Sequence, residues 1–319
     1  MNTIKFSLAT ILGLLLLVLF SCGDDNESNP MVDFGTAPSL SITNGTVEVI
    51  TEDMVRYHTI VFGELVTAVI VESETGVTLI DVAFSFGNFP DAGTELRAYT
   101  DAIGKPINVI ITHAHQDHYG NIANFADATI YAETKNVPAL LADPIFMGLF
   151  SGTVNGVSGA QEIGGIEFVF DNLSNTETSE NGYVSIPAYK SVFPGDLVFN
   201  LSHAFIREYT PLDDTDELEI WITGLNKMKS DFNNYNHIFM GHNGRRTDIA
   251  DVFDENIAYL TDAQGLIKGT KELTAGGFAT SVQEVVDELL LLYPNHKPGG
   301  LYLALPDGFF PGDPGATWF

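Results

Sequence analysis

Residues 107–121 read INVIITHAHQDHYGN, an apolar run that ends in three histidines and an aspartate within six positions. Such a run has the length and composition of a strand buried on both faces, so other layers must cover it. The whole chain holds eight histidines, so three at one strand end mark either a cation site or an unusual surface loop. A strand ending at Thr112 delivers His113 and His115 to one side, two residues apart, where both imidazoles reach one cation. Asp117 and His118 fall on the turn that follows and point to a second position nearby. Imidazole and carboxylate donors together suit zinc, or less selectively iron or manganese, and two such cations can share one hydroxide.

The flanking pattern supplies the layers. TVEVI, YHTIVFG, TAVIVES and GVTLIDVAF alternate or run apolar between turn residues and read as a β-meander. Residues 92–104 have helical apolar spacing and end in glycine, just before the INVIIT strand. A second series follows: a helix near residues 122–125, the strand ATIYAE, a mixed segment to Gly165, then strands at IEFVFD, GYVSIP and SVFPGDLVF. The helix DELEIWITGLNKMKS, the strand HIFMGH and a helix over 247–260 complete it. Two series of strands with helices between and after them predict an α/β fold, an αββα sandwich of two mixed sheets flanked by helices. The folded domain is expected over 36–265. Residues 266–319 form an extension with one helix, SVQEVVDELLLLYP, and an aromatic end whose Phe309, Phe310, Trp318 and Phe319 pack on the domain or face a partner. The apolar segment 143–152, DPIFMGLFSG, reads as a loop that serves either as a lid or as core packing.

With 42 acidic and 14 basic residues, the formal charge is -28, which repels phosphate backbones and anionic lipid surfaces. No nucleic-acid partner is expected. Residues 8–20 are a thirteen-residue apolar run, too short to span a bilayer and suited to an export signal. The LFSC that follows resembles a bacterial lipobox, which makes 1–21 a lipoprotein signal peptide and Cys22, the only cysteine, the lipidated residue. The other possibility is an unlipidated signal with an incidental cysteine. Residues 22–35, with the polar GDDNESNP, then form a flexible tether. Acidic residues directly after the cysteine also resemble the surface-export signal of Bacteroidota lipoproteins. The expectation is an exported bacterial lipoprotein, anchored in the outer membrane only by its N-terminal lipid and facing either the periplasm or the cell surface.

THAHQDHYGN is similar to the HxHxDH signature of the metallo-β-lactamase superfamily, and GVTLIDVAF resembles that family's strand with a buried aspartate. The resemblance implies the αββα fold, a dinuclear metal-dependent hydrolase with two zinc ions, and a small-molecule substrate. Asp81, 32 residues before His113, would stand behind the ligands as support. FPGDLVF and IFMGHNG resemble the family's later motifs, implying Asp196 as the acid shared by both metals and His242 as the last ligand of the second. The family's usual third-motif histidine is missing, because no histidine lies between His118 and His203. Glu177, nineteen residues before Asp196 in NTETSEN, is the candidate replacement, with Glu180 in reserve. Alternatively Glu177 is a solvated acid and the first metal rests on His113 and His115 alone. NTETSEN partly resembles the alkylsulfatase-like branch, although that branch usually has a glutamate where Asp196 stands.

The implied chemistry is attack by a metal-bound hydroxide on a small ester, lactone or sulfate ester, with Asp117 as the catalytic residue that orients the hydroxide and carries its proton. A β-lactam hydrolase and a catalytically idle metal-binding surface lipoprotein are the alternatives. No lysine follows Asp196 closely, which weighs against β-lactams. Substrate contacts are sought in His203, as a pocket contact or proton donor or else a satisfied, partly buried histidine, and in Arg207, which with Arg245 and Arg246 is either a basic residue near ligand positions or a plain surface counter-charge. His58, His237 and His296 read as structural.

Overall fold

The computed structural model describes residues 32–63, 65–206 and 217–297. Its first four strands are an antiparallel meander: β1 (Gly45–Thr51), β2 (Arg56–Phe62), β3 (Val66–Glu72) and β4 (Val77–Ile80). Three more, β5 (Ile107–Ile111), β6 (Thr129–Glu133) and β7 (Val154–Val157), join in parallel and give a seven-stranded mixed sheet in sequence order. Parallel neighbours need crossovers. These are made by the helices α1 (Ala92–Asp101), α2 (Gln116–Tyr119), α3 (Asn136–Ala142) and α4 (Pro144–Leu149).

The second sheet has six strands: β8 (Gly159–Ile163), β9 (Ile166–Ser174), β10 (Glu180–Ile186), β11 (Ser191–Gly195), β12 (His237–Met240) and β13 (Arg245–Arg246). All its pairings are antiparallel except β11 with β12, which are linked through α5 (Glu217–Asp231). After β13 come α6 (Ile249–Ile267) and α7 (Val282–Leu292). No described helix is long and apolar enough to cross a membrane.

The two-residue period of the strands sorts side chains into three cores. On β3, Ala68 and Ile70 join Leu96 and Tyr99 of α1 in one core, whereas Val69 and Val71 join Phe168, Phe170, Val184 and Phe239 of the second sheet in another. A third core places Val192, Ile238 and Met240 against Trp221, Leu225, Val252 and Leu289 of the last three helices. Helix, sheet, sheet, helix is the order, as the sequence pattern predicts.

Local departures have local causes. Segment 143–152 is not loop-like: Asp143 caps α4 by accepting from the Ile145 amide, and Pro144 occupies the first turn. Phe146 of that helix is fully buried and meets Tyr119 edge-on at 5.2 Å, and Phe150 is buried beside it, so these two rings pack into the core while Ile145 and Met147 stay exposed. The mixed segment before Gly165 resolves into α3, α4, β7 and β8. Helix α6 continues to Ile267, past both the expected stop at 260 and the expected domain boundary at 265, because Ala263 and Leu266 keep burying the same face. Of the expected tether, residues 32–35 touch the domain: Val32 donates to the Asp53 carbonyl, and Arg56 donates to the Gly35 carbonyl and lies over the Phe34 ring. Residues 1–31, including Cys22, and the aromatic tail lie outside the described residues.

Candidate metal centre

Four strand ends converge. Asp81 directly follows β4, His113 follows β5, Asp196 follows β11 and His242 follows β12, and both strand pairs are parallel, so their carboxyl ends share an edge. Between β9 and β10 the chain folds back through a tight tip, with Asn175 donating to the Ser179 carbonyl and Thr176 to that of Thr178, and this tip carries Glu177. Gly182 then brings β10 against the end of β5, its amide donating to the Thr112 carbonyl at 3.0 Å. A Cβ at Gly182 would stand 2.7 Å from that carbonyl oxygen, so a side chain there would push the hairpin off the site.

The convergence makes two groups of potential ligands that share one acid: His113, His115, Glu177 and Asp196, and Asp117, His118, Asp196 and His242. In the first, His115 Nδ1 is 3.1 Å from both Glu177 Oε1 and His113 Nε2, and His113 Nε2 is 3.8 Å from Glu177 Oε2. In the second, His242 Nε2 is 2.9 Å from Asp196 Oδ2, His118 Nε2 is 3.2 Å from Asp196 Oδ1, and Asp117 Oδ2 lies 3.6 and 3.7 Å from the two imidazoles. Around a tetrahedral cation with bonds of about 2.0–2.1 Å, ligand atoms sit roughly 3.3 Å apart. Both groups have that spacing. His118 Nε2 and Asp196 Oδ1 are buried and 3.2 Å apart, yet neither makes a hydrogen bond of good geometry, as expected of ligand atoms aimed at a cation.

The other edge of each ring is held. His118 Nδ1 bonds Asp81 Oδ2 at 2.8 Å, His242 Nδ1 faces the Leu65 carbonyl at 3.1 Å, and His113 Nδ1 faces Thr112 Oγ1 at 3.0 Å. Thr112 donates its hydroxyl and its amide to Asp81, each at 2.8 Å, so its oxygen is left to accept from His113. Asp81 thus orients two imidazoles, one directly and one through Thr112. Its own φ is +57°, a left-handed conformation uncommon outside glycine. Gly241 is needed for space: a Cβ there would lie 2.3 Å from Asp196 Oδ1 and 2.8 Å from His118 Cε1.

Burial disfavours charge throughout the cluster, yet the acids prevail at two rings. His118 is held well above the usual histidine pKa by Asp196, Asp117 and Asp81 against its burial, and His242 is raised by Asp196 in the same way. Asp196 is held well below the carboxylate range by His118 and His242, despite its burial. His113 shifts the other way, driven down by burial and by the neighbouring imidazoles. The described ion-pair partners of Asp117, Glu177 and Asp196 are the imidazoles of His113, His115, His118 and His242. The cluster has the charge balance of a cation site.

Every proposed ligand is therefore brought together, Glu177 included, while Glu180 turns away and accepts from Ser174 Oγ. His203 is fully buried, bonded to Tyr259 Oη and beside His296, and burial lowers its pKa to about 4. A ring so enclosed and so weakly basic is no proton donor near neutrality. Arg207 lies outside the described residues. Arg245 pairs with Glu48, and Arg246 with Asp248 and Glu255, as surface counter-charges. His58 and His237 are structural, the first between Tyr99 and Glu72, the second beside Glu52. Sequence reasoning missed Thr112, Gly241 and Phe205, whose ring meets His115 edge-on at 5.5 Å. Thr112 and Gly241 had a signal, their places directly before His113 and His242.

A sequence model described as the Metallo-beta-lactamase superfamily matches residues 61–231, from β2 to the end of α5, and stops short of His242. No curated protein matches the chain. Among solved structures, metallo-beta-lactamase IND-7 superposes with a TM-score of 0.54 at 24% identity, over 69% of this chain and 100% of that one. A metallo-beta-lactamase from Pontibacter korlensis gives 0.50 at 18% identity, over 68% of this chain and 99% of that one. Likeness at such identity speaks for the fold. With more than half of the chain covered by the family's sequence model, and with its fold and ligand pattern in place, the chain belongs to the metallo-β-lactamase superfamily.

Proposed function

We propose that this protein is a hydrolase that holds two divalent cations, zinc first and iron or manganese as substitutes, and cleaves a small ester, lactone or sulfate ester. One observation carries the reading: two ligand groups at cation spacing share the buried Asp196. Cations bound there supply a water of lowered pKa and polarise the oxygen under attack. His113, His115 and Glu177 would hold the first and His118, His242 and Asp117 the second, with Asp196 belonging to both groups of potential ligands.

Solvent reaches the cluster on one flank. The His115 and Asp117 side chains are 18% and 21% exposed, while those of the other ligands are at most 3% exposed. Asp117 is thus the ligand placed to orient an entering water and take its proton. Phe205 beside His115 gives that flank an apolar wall. Glu177 adds a negative charge where the family usually has a neutral imidazole. That lowers the demand the site can meet, favouring activated esters, lactones or sulfates over amides.

Metal analysis of the purified chain is expected to return two equivalents of zinc, iron or manganese; less than one equivalent sinks the proposal. A panel of aryl esters, lactones, alkyl sulfates, phosphodiesters and nitrocefin names the substrate class, and inactivity on all of it with metal present favours an idle binding protein. We further propose export and lipid anchoring at Cys22. A Cys22→Ser variant that stays in the membrane fraction would refute the anchor.

A further inference from the structure

We infer that Asn181 is a positioning residue for Glu177, and through Glu177 for the first cation; this rests on the metal-site reading above. Asn181 is the second residue of β10 and is 1% exposed, with its amide enclosed by the hairpin tip that carries Glu177. The neighbours decide which way the amide points. Glu177 Oε2 lies 3.2 Å from one end of it, and the Thr178 backbone amide lies 2.9 Å from the other. A ligating carboxylate only accepts, and a backbone N–H only donates. The amide nitrogen therefore donates to Glu177 Oε2, and the amide oxygen accepts from Thr178 N and from Thr176 Oγ1 at 3.0 Å.

One side chain thus ties the ligand and both residues flanking it to the strand. With Oε2 occupied by Asn181, Oε1 is the oxygen left on the His115 side, 3.1 Å from His115 Nδ1. Glutamate has three side-chain torsions and a wide reach, so a ligand on a hairpin tip needs such a tether to present one oxygen at a fixed place. On His118, His113 and His242 this service comes from Asp81, Thr112 and the Leu65 carbonyl. Asn181 is its counterpart at the position where this chain departs from its family.

The test is titration of the metal-free chain with Co²⁺, read by calorimetry and by the visible absorption of the bound ion. Asn181→Asp keeps the shape but sets a carboxylate against Glu177 Oε2, and Asn181→Ala removes the donor without a new charge. Both are expected to weaken the first-bound equivalent roughly 10–100-fold while a second, weaker site persists. In a Glu177→Ala background, Asn181→Ala is expected to cause no further loss, since Asn181 acts through Glu177. Wild-type affinities in both variants, with only a lowered melting temperature, would reduce Asn181 to a turn staple and overturn the inference. Additive losses in the double variant overturn it as well. A wild-type chain that binds less than one Co²⁺ removes the metal reading and this inference together, a result distinct from two wild-type equivalents that the variants leave unchanged.

Discussion

Two buried charged clusters sit at opposite ends of β3, and they balance their charge in opposite ways. At one end Val66 bridges to His242 and the ligand cluster; at the other, Glu72 is 1% exposed among Arg56, His58 and Lys105. Glu72 receives its cations from the chain itself, with Arg56 at 2.7 Å and Lys105 at 2.8 Å. Burial pushes its pKa up, but hydrogen bonds from His58, Lys105 and Arg56 outweigh that and hold it at about 2. In the ligand cluster, by contrast, the described ion-pair partners of Asp117, Glu177 and Asp196 are imidazoles, at 2.9–3.9 Å. A self-neutralised cluster is a piece of architecture, while acids and imidazoles gathered at ligand spacing suit ions from outside.

Breaking the first cluster gives the largest expected effect on stability. Glu72→Ala leaves Arg56 buried without its acid and is expected to cost about 3–5 kcal/mol, measured by urea unfolding, with metal content unchanged. Equal stability of that variant and the wild type would erase the contrast between the clusters. At the other end, Asp196→Asn should cost little in folding but lower both metal content and kcat/KM, beyond the roughly 10–100-fold that supporting residues cost. Gly241→Ala is expected to resemble it, since the new Cβ would meet Asp196 and His118.

Chelation sharpens the same comparison with a smaller effect. Ions at 100-fold excess over their Kd stabilise the fold by about 2.7 kcal/mol, so excess EDTA should lower the melting temperature of the wild type and of Glu72→Ala alike, but leave Asp196→Asn much less affected. The smallest effect is expected in acid. The depressed pKa of Glu72 means its contribution is full above the ordinary carboxylate value of 4.5 and is lost as pH falls toward about 2. Glu72→Gln should flatten that limb of a stability-against-pH curve measured on the metal-free chain; an unchanged curve would assign acid sensitivity elsewhere.

Much of the fold and half of the site were legible because they are local. Alternating strands with helical spacing between them predict the two layers, and HAHQDH states its own geometry, since a strand end and one turn place four donors within six residues. Segment 143–152 misled because a six-residue helix is too short to show a period, and only Asp143 and Pro144 hinted at its start. For His203 the sequence left open a pocket contact or a satisfied buried histidine, and the structure buries it with Nδ1 against Tyr259 Oη.

By itself, then, the sequence determined the strand-end cluster and the layered architecture, both of which follow from side-chain periodicity over a few residues. Tertiary structure alone decided that Glu177, 62 positions beyond His115, comes within 3.1 Å of it, and that Asp196 lies within ligand spacing of both groups. Those contacts depend on how the two sheets stack and on Gly182 and Gly241 letting backbones approach closely. No local pattern in the chain encodes such distances.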